Sequence, residues 1–136
     1  MPWVVGLEQL VPERVAEGAV QYLQASYAGI KRDLVAAAEK MPDADYGFKP
    51  SQMSAARTYG AGIAHAANGM FAACARAKGV PNPAPDVEKK LANKAEIVKA
   101  LADSIAFCDA AFSALTDQSS RCLTCEGVCP PWIFRS

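Results

Sequence analysis

The chain contains a single histidine, His65, and five cysteines, and these residues carry most of its potential for chemistry. Neutral imidazoles and deprotonated thiols are the side chains that bind Zn²⁺ and similar ions most readily. Three of the cysteines lie close together as Cys122, Cys125 and Cys129. The first two form a Cys-x-x-Cys pair, which is half of many structural zinc sites and also a redox motif. The sequence therefore offers two candidate metal-binding regions, one at His65 and one at this cysteine cluster.

Each region also has a structural interpretation without a ligand. A lone histidine among alanines is typical of a packed or partly exposed residue. The cysteine cluster has no second knuckle, and a redox pair would follow a strand and begin a helix, neither of which the sequence indicates. The fourth zinc ligand would have to come from His65, Cys74, Cys108 or Glu126. Cys74 and Cys108 themselves fall on apolar helical stripes, where we expect small buried side chains.

Composition restricts the class of protein and of partner. The 136 residues suit a single domain, and 51% of them are apolar. Lys plus Arg and Asp plus Glu both number 14, so no net charge attracts nucleic acid or an anionic membrane. No apolar run approaches the roughly 20 residues of a membrane span. We expect a soluble cytoplasmic protein without nucleic-acid or membrane partners. In that compartment the five cysteines would be mostly reduced, and their odd number argues against a fully paired disulfide framework.

Periodicity and helix signals predict an all-α fold. Apolar residues spaced by three and four predict a first helix over residues 12–40, which Pro42 ends, and its inner stripe includes Leu23, Tyr27 and Ile30. A loop over 42–54 follows, and its aromatic residues are expected to fold back onto the core. Ser54 is predicted to cap a second helix that runs to Lys78 and ends at Gly79. A third helix is predicted from Glu88 or Asn93 to Leu115.

The second helix places His65 in a distinctive position. The helix is apolar on nearly all sides, which predicts burial. Its bulky residues form one stripe, and His65 lies roughly opposite on a face of small residues. Asn68, one turn later, is either a second-shell partner of His65 or a polar packing residue. This placement suits a ligand-binding histidine.

The stretch from Met41 to His65 resembles the DinB/YfiT-like family. The resemblance rests on a helix ending in AAEKMP, a loop with Tyr46, Phe48 and Pro50, and a helix whose second turn carries a histidine. It implies an up-and-down bundle of four helices, commonly dimeric. It also implies a divalent metal such as zinc or nickel, held by three histidines, that activates a thiol or water for transfer or hydrolysis. Small thiols are the family's cosubstrates, and His65 matches the ligand on the second helix.

The chain departs from this pattern after Asp117. No histidine follows His65, so the pair of histidines that the family carries on its fourth helix has no counterpart. We interpret residues 1–118 as an incomplete DinB-like bundle with three helices, and residues 119–136 as an irregular tail. We hypothesise that this tail is an out-of-frame or otherwise displaced C-terminus.

Three functional hypotheses follow from these features. The first is a metal-dependent transferase or hydrolase whose missing ligands come from the tail thiolates or from a partner chain. The second is a non-catalytic bundle that self-associates through its uncovered apolar face. The third is a zinc-binding module formed by Cys122, Cys125 and Cys129.

Overall fold

A computed structural model describes residues 13–116 of the chain, with side chains from residue 18 onward. The described residues are helical and contain no strand, which confirms the all-α prediction. Three α-helices are joined by loops that each contain one short 3₁₀ helix. The α-helices are α1 (Glu13–Lys40), α2 (Tyr59–Lys78) and α3 (Lys94–Ser113), and the 3₁₀ helices are Asp43–Asp45 and Val87–Lys90.

Side chains and a glycine define the ends of α2 and α3. Thr58 caps α2, since its Oγ1 accepts from the amide of Ala61 at 3.1 Å. Gly79 ends α2 with a φ of 66°, a left-handed conformation that glycine adopts without a Cβ penalty. Asn93 caps α3, because its Oδ1 accepts from the amide of Glu96 at 3.0 Å. Of the two predicted starts for α3, Asn93 is therefore the one observed.

The prediction of Ser54 as the cap of α2 is wrong. Residues 54 and 55 form a turn, residues 56–58 are irregular, and the helix begins only at Tyr59. The amides of Tyr59 and Gly60 donate to the carbonyls of Phe48 and Tyr46, at 2.8 and 2.9 Å. These long-range bonds hold the first turn of α2 against the preceding loop, so the helix starts where the loop's carbonyls can satisfy its first amides.

The helices do not alternate in direction, so the predicted up-and-down order is wrong. Contacts along α2 and α3 rise together in residue number: Met70 contacts Ser104 at 3.8 Å, and Cys74 is bonded to Cys108 with a Cα–Cα distance of 5.4 Å. These two helices are therefore parallel. Helix α1 runs antiparallel to α3, since Tyr27 contacts Asp109 near the end of α3 and Lys94 contacts α1's last residues.

The length of the connection explains the parallel arrangement. A helix of 20 residues is about 30 Å long. Residues 79–93 can span about 50 Å when extended, which is enough to return along the whole of α2. The prolines at 81, 83 and 85 favour such an extended path. We call residues 79–93 the crossover, because they carry the chain back to the end at which α2 begins.

Small residues fill much of the core between the helices. Ala38 and Ala67 are fully buried, and Leu101 is 1% exposed. Ser104 is the buried polar residue of this interior, and its hydroxyl donates to the carbonyl of Leu101 at 2.8 Å. Alanine and serine let helix backbones approach closely. The predicted apolar stripes of α2 and α3 are confirmed by buried residues on both helices: Ile63, Ala67, Cys74, Ile97, Leu101, Ile105 and Cys108.

Hydrogen bonds from elsewhere in the chain satisfy the C-terminal carbonyls of α1. The hydroxyls of Tyr46 and Tyr59 donate to the carbonyls of Ala38 and Ala37. The Nζ of Lys94 donates to the carbonyls of residues 39 and 41, at 3.0 and 2.9 Å. A helix end normally leaves these groups without intrahelical partners. The C-terminus of α1 is thus completed by the loop and by the first residues of α2 and α3.

A polar and aromatic cluster fastens the middle of α1 to α3. The ring of Tyr27 stacks on that of Phe112 with 3.9 Å between centroids. Its hydroxyl donates to Asp109 at 2.8 Å, and Lys31 pairs with the same carboxylate at 2.9 Å. Burial and this carboxylate raise the pKa of Tyr27. The bond from Lys31 lowers the pKa of Asp109 below its usual value.

Several predicted core residues are instead exposed. Ile30 and Leu23 were expected on the inner stripe of α1, but they are 60% and 38% exposed. Among the loop aromatics Tyr46 is buried as predicted, whereas Phe48 is 59% exposed. The reason is geometric, because α1 contacts α3 along a narrow strip of its surface and only some of its apolar side chains are covered.

Within residues 13–116, no helix combines the length and apolarity that a membrane crossing requires.

Candidate functional site

His65 lies on the outer side of α2, in its second turn. Its side chain is 50% exposed, and neighbouring turns present the exposed residues Ala61 and Gly69 on the same side. The predicted face of small residues is therefore real, and it is open to solvent. The expectation that α2 is buried on all sides is wrong for this face, because neither α1 nor α3 packs against it.

The crossover supplies a carboxylate to His65. The Nδ1 of His65 lies 2.8 Å from Oε2 of Glu88, which belongs to the 3₁₀ helix Val87–Lys90. The Glu88 side chain is 25% exposed, so this contact is partly sheltered from water. Its neighbours Val87 and Leu91 pack against the core and hold this part of the crossover on α2. His65 thus has an acidic partner that is 23 residues away in sequence.

Asn68 contacts Glu88 rather than His65. Its Nδ2 donates to Oε1 of Glu88 at 3.3 Å, so the two carboxylate oxygens face one residue each. The Oδ1 of Asn68 is buried and has no hydrogen-bond partner among the described residues. The predicted second-shell role of Asn68 therefore takes an indirect form, since any influence on His65 passes through the carboxylate. We refer to His65, Glu88 and Asn68 as the His–Glu–Asn cluster.

A cleft of about 450 Å³ lies beside the cluster, between the first turns of α2 and α3. Glu88 and Lys94 contribute to its wall. The amine of Lys94 already bonds to two carbonyls of α1 and lies 3.3 Å from Asp43. The α2 amides at this end are also satisfied by the loop and by Thr58. The cleft therefore has few unpaired donors for an anion, and the carboxylates of Glu88 and Asp43 are paired as well.

The metal site implied by the family resemblance is not complete in the described residues. No group of three or more His, Cys, Asp or Glu side chains in residues 13–116 is arranged to hold a metal ion. His65 and Glu88 supply one imidazole and one carboxylate, whereas a catalytic zinc centre uses three protein ligands. These donors alone do not fit a three-histidine site. The alternative ligands Cys122, Cys125 and Cys129 lie outside the described residues.

The structure corrects the expectation of reduced thiols at two of the five cysteines. Cys74 and Cys108 are joined by a disulfide between α2 and α3. Both are buried as predicted, at 6% and 1% exposure. The prediction failed because it treated each cysteine within its own helix. Only the parallel packing of the helices brings together two residues that are 34 positions apart.

Sequence reasoning also missed Glu88 as a site residue. The residue lies among prolines and charged side chains, in a segment without periodicity. From the sequence alone, it was considered only as a possible first residue of α3. The relevant signal was the length of the crossover, which allows the chain to pass back over α2.

Comparison of the chain with family models, with curated proteins and with solved structures finds no match.

Proposed function

We propose that this chain is a DinB-like helical-bundle protein in which His65 is the retained part of a divalent-metal site. Metal-dependent thiol transfer or hydrolysis of a small molecule is then its ancestral activity, with zinc or nickel as the metal. The observation that carries the proposal is the 2.8 Å contact between His65 Nδ1 and Glu88. Histidines that bind metals through one ring nitrogen almost always donate the other N–H to a carboxylate, a carbonyl or water.

The exposure of His65 agrees with this role. A histidine that served only to fill the core would be buried, whereas half of this side chain is open to solvent. The adjoining small residues Ala61 and Gly69 leave room for further donors to approach the ring. The contact with Glu88 meanwhile occupies Nδ1, so Nε2 is the nitrogen available to a ligand.

The additional donors must come from beyond residues 13–116 or from a second chain. We propose the thiolates of Cys122, Cys125 and Cys129 as the first source, because they are the remaining soft ligands of the sequence. Catalysis depends on that completion, since a single imidazole would hold a metal only weakly. Without these additional donors, the chain would bind the metal weakly and would not catalyse the reaction.

Metal analysis of the full-length chain tests this proposal. Purified protein is equilibrated with Zn²⁺ or Ni²⁺ under reducing conditions, dialysed, and analysed for bound metal. We expect His65→Ala to lower the bound metal at least tenfold, while Gln24→Ala, on the far part of α1, leaves it unchanged. Equal metal content in the parent and in His65→Ala would contradict the proposal.

A triple substitution distinguishes the third hypothesis. Cys122, Cys125 and Cys129 are replaced together by serine. If the tail alone forms a zinc module, this variant loses metal and His65→Ala keeps it. If the tail completes the site at His65, both variants lose metal.

Exposed apolar side chains on α1 favour a second candidate function, self-association without catalysis. Tyr22 and Ile30 are 71% and 60% exposed, and Leu23, between them in the sequence, is 38% exposed. On a helix, these three residues point within about 100° of one another. Such a patch on a small bundle is typical of an interaction surface. The dimer predicted from the family resemblance would bury it.

Light scattering measures this association directly. We expect a dimer mass for the parent chain and a monomer mass for the variant Tyr22→Glu/Ile30→Glu. Lys40→Glu serves as a charge-changing control at the end of α1. A parent chain that is monomeric at high concentration would contradict self-association through this patch.

A further inference from the structure

Glu88 contacts the only histidine of the chain through one defined nitrogen. We infer that Glu88 is a positioning residue that holds neutral His65 in its Nδ1–H tautomer, with Asn68 fixing the carboxylate, so that Nε2 is left as the acceptor. This inference adds a residue and an atomic role to the proposed site. The assignment of a metal ligand to Nε2 rests on the proposed metal-binding function, whereas the assignment of the His65 tautomer does not.

The first step of the argument is the chemistry of the contact. An ionised carboxylate accepts hydrogen bonds and cannot donate them, whereas a neutral imidazole has one donor and one acceptor nitrogen. A separation of 2.8 Å between Nδ1 and Oε2 is a hydrogen-bond distance. The proton must therefore lie on Nδ1, because two acceptors at this distance would repel each other. The lone pair is then on Nε2.

The second step is the orientation of the carboxylate. Asn68 donates from Nδ2 to the other oxygen of Glu88. Reversing the amide of Asn68 would place its Oδ1 against that oxygen and remove the only donor the amide offers there. The observed orientation is therefore the favourable one, even though it leaves Oδ1 buried without a partner among the described residues. The carboxylate is held from both sides, by an amide and by an imidazole.

The third step is the anchoring of the turn that carries Glu88. Val87 precedes it and Leu91 follows shortly after, and both pack against the core. Asp86, at the start of the turn, has a φ of 55°, and its carboxylate pairs with Lys89 at 3.0 Å. These contacts restrict the backbone on both sides of Glu88. The carboxylate thus arrives at His65 from a fixed segment rather than from a free loop.

A two-bond ¹H–¹⁵N correlation spectrum tests the tautomer. Because the chain has a single histidine, its ring signals need no assignment. At a pH where the ring is neutral, we expect the parent chain to give the Nδ1–H pattern. In Glu88→Ala, we expect most of the population to shift to the Nε2–H form that a solvated imidazole prefers. Lys90→Ala, at an exposed residue of the same turn, should keep the parent pattern.

Two further variants separate positioning from general loss of structure. Asn68→Ala should give a mixture of the two tautomers, and Glu88→Asp should restore part of the Nδ1–H population. Backbone amide spectra confirm that each variant is folded. An Nε2–H pattern in the parent chain, or the same pattern in the parent and in folded Glu88→Ala, would overturn the inference.

Zinc titration then distinguishes this inference from the proposed function. Loss of a partner to a metal-binding histidine typically costs 10–100-fold in metal affinity. We therefore expect Glu88→Ala to weaken Zn²⁺ binding by about that factor, with Lys90→Ala unchanged. If the parent does not bind Zn²⁺ but its tautomer responds to Glu88→Ala as expected, the metal function fails and the positioning role of Glu88 stands.

Discussion

The α2–α3 pair and the attachment of α1 are built from different interactions. Helices α2 and α3 share a core of alanine and aliphatic side chains and a buried disulfide. Helix α1 adds few fully buried residues to this core, Ala38 among them, and is fastened by side-chain hydrogen bonds. These are the Tyr27–Lys31–Asp109 cluster in its middle and the tyrosine and lysine donors at its C-terminus. Apolar burial is tolerant of small shifts, whereas these bonds demand defined geometry. We therefore expect stability to reside mostly in the α2–α3 pair, and α1's orientation to depend on a few polar groups.

The largest expected effect concerns the disulfide of the α2–α3 pair. Removing a cross-link between residues 34 positions apart should lower the free energy of unfolding by about 4 kcal/mol. Urea unfolding of the parent chain, with and without dithiothreitol, measures this loss. The variant Cys74→Ala/Cys108→Ala should resemble the reduced parent and should not respond to dithiothreitol. A parent chain whose unfolding midpoint is unaffected by reduction would show that the disulfide contributes nothing.

Two glycines of α2 compare a tightly packed position, Gly60, with an open one, Gly69. A Cβ at Gly60 would lie 2.8 Å from Tyr46 Cδ1 and 3.2 Å from Tyr46 O, so Gly60→Ala should cost about 1–3 kcal/mol. Gly69, on the open face of α2, has nothing within 4 Å of such a Cβ. Gly69→Ala should therefore stabilise the chain by about 0.5–1 kcal/mol, as expected for glycine in a helix. Thermal unfolding of both variants measures these effects. A gain of stability in Gly60→Ala would contradict the close packing at Gly60, and a loss in Gly69→Ala would contradict the open space at Gly69.

The hydroxyl of Tyr27 provides a smaller test, confined to α1. Tyr27→Phe keeps the ring stacked on Phe112 and removes the bonds to Asp109 and to the carbonyl of Ile105. We expect a loss of about 0.5–1.5 kcal/mol in chemical unfolding. Tyr22→Phe, at a residue that is 71% exposed, is the matched control and should change little. A loss equal to that of the control would mean that the Tyr27 hydroxyl contributes nothing to the attachment of α1.

The smallest effect is a pH dependence of the same cluster. The bond from Lys31 lowers the pKa of Asp109 in the folded chain. As the pH falls, the Asp109 carboxylate is therefore protonated in the unfolded state before it is protonated in the folded state. The contribution of Asp109 to stability is complete above its ordinary pKa, near pH 4, and is lost as the pH falls through the lowered value. Asp109→Asn should flatten the decline in unfolding free energy below about pH 4. Asp103→Asn, at an exposed pair with Lys99, is the control and should leave the slope nearly unchanged.

Features governed by neighbouring residues were predictable from the sequence. Gly79 ends α2 because its φ is positive, and Pro42 lies just beyond α1 because the residue before a proline avoids helical angles. The inner stripes of α2 and α3 follow from helical periodicity. His65 was placed correctly on the small-residue face of α2, although that face is open rather than buried.

Features governed by distant residues were not predictable in the same way. The disulfide requires Cys74 and Cys108 to lie at equal heights on parallel helices, and helix direction depends on the path of the crossover. The partnership of His65 with Glu88 depends on that same path. Ser54 was preferred as the cap of α2 by residue type, yet the bonds from Tyr59 and Gly60 to the loop place the cap at Thr58.

The donors to the last carbonyls of α1 have a consequence for how the protein opens. Tyr46, Tyr59 and Lys94 come from three separate parts of the chain, and all of them complete one helix end. Fraying of that end would break contacts in the loop, in α2 and in α3 together. Native-state hydrogen exchange should therefore protect the amides near residue 41 and those near residue 60 to a similar degree, as parts of one cooperative unit. In most helical proteins a helix terminus frays independently, but here we expect the end of α1 to exchange together with the first turn of α2.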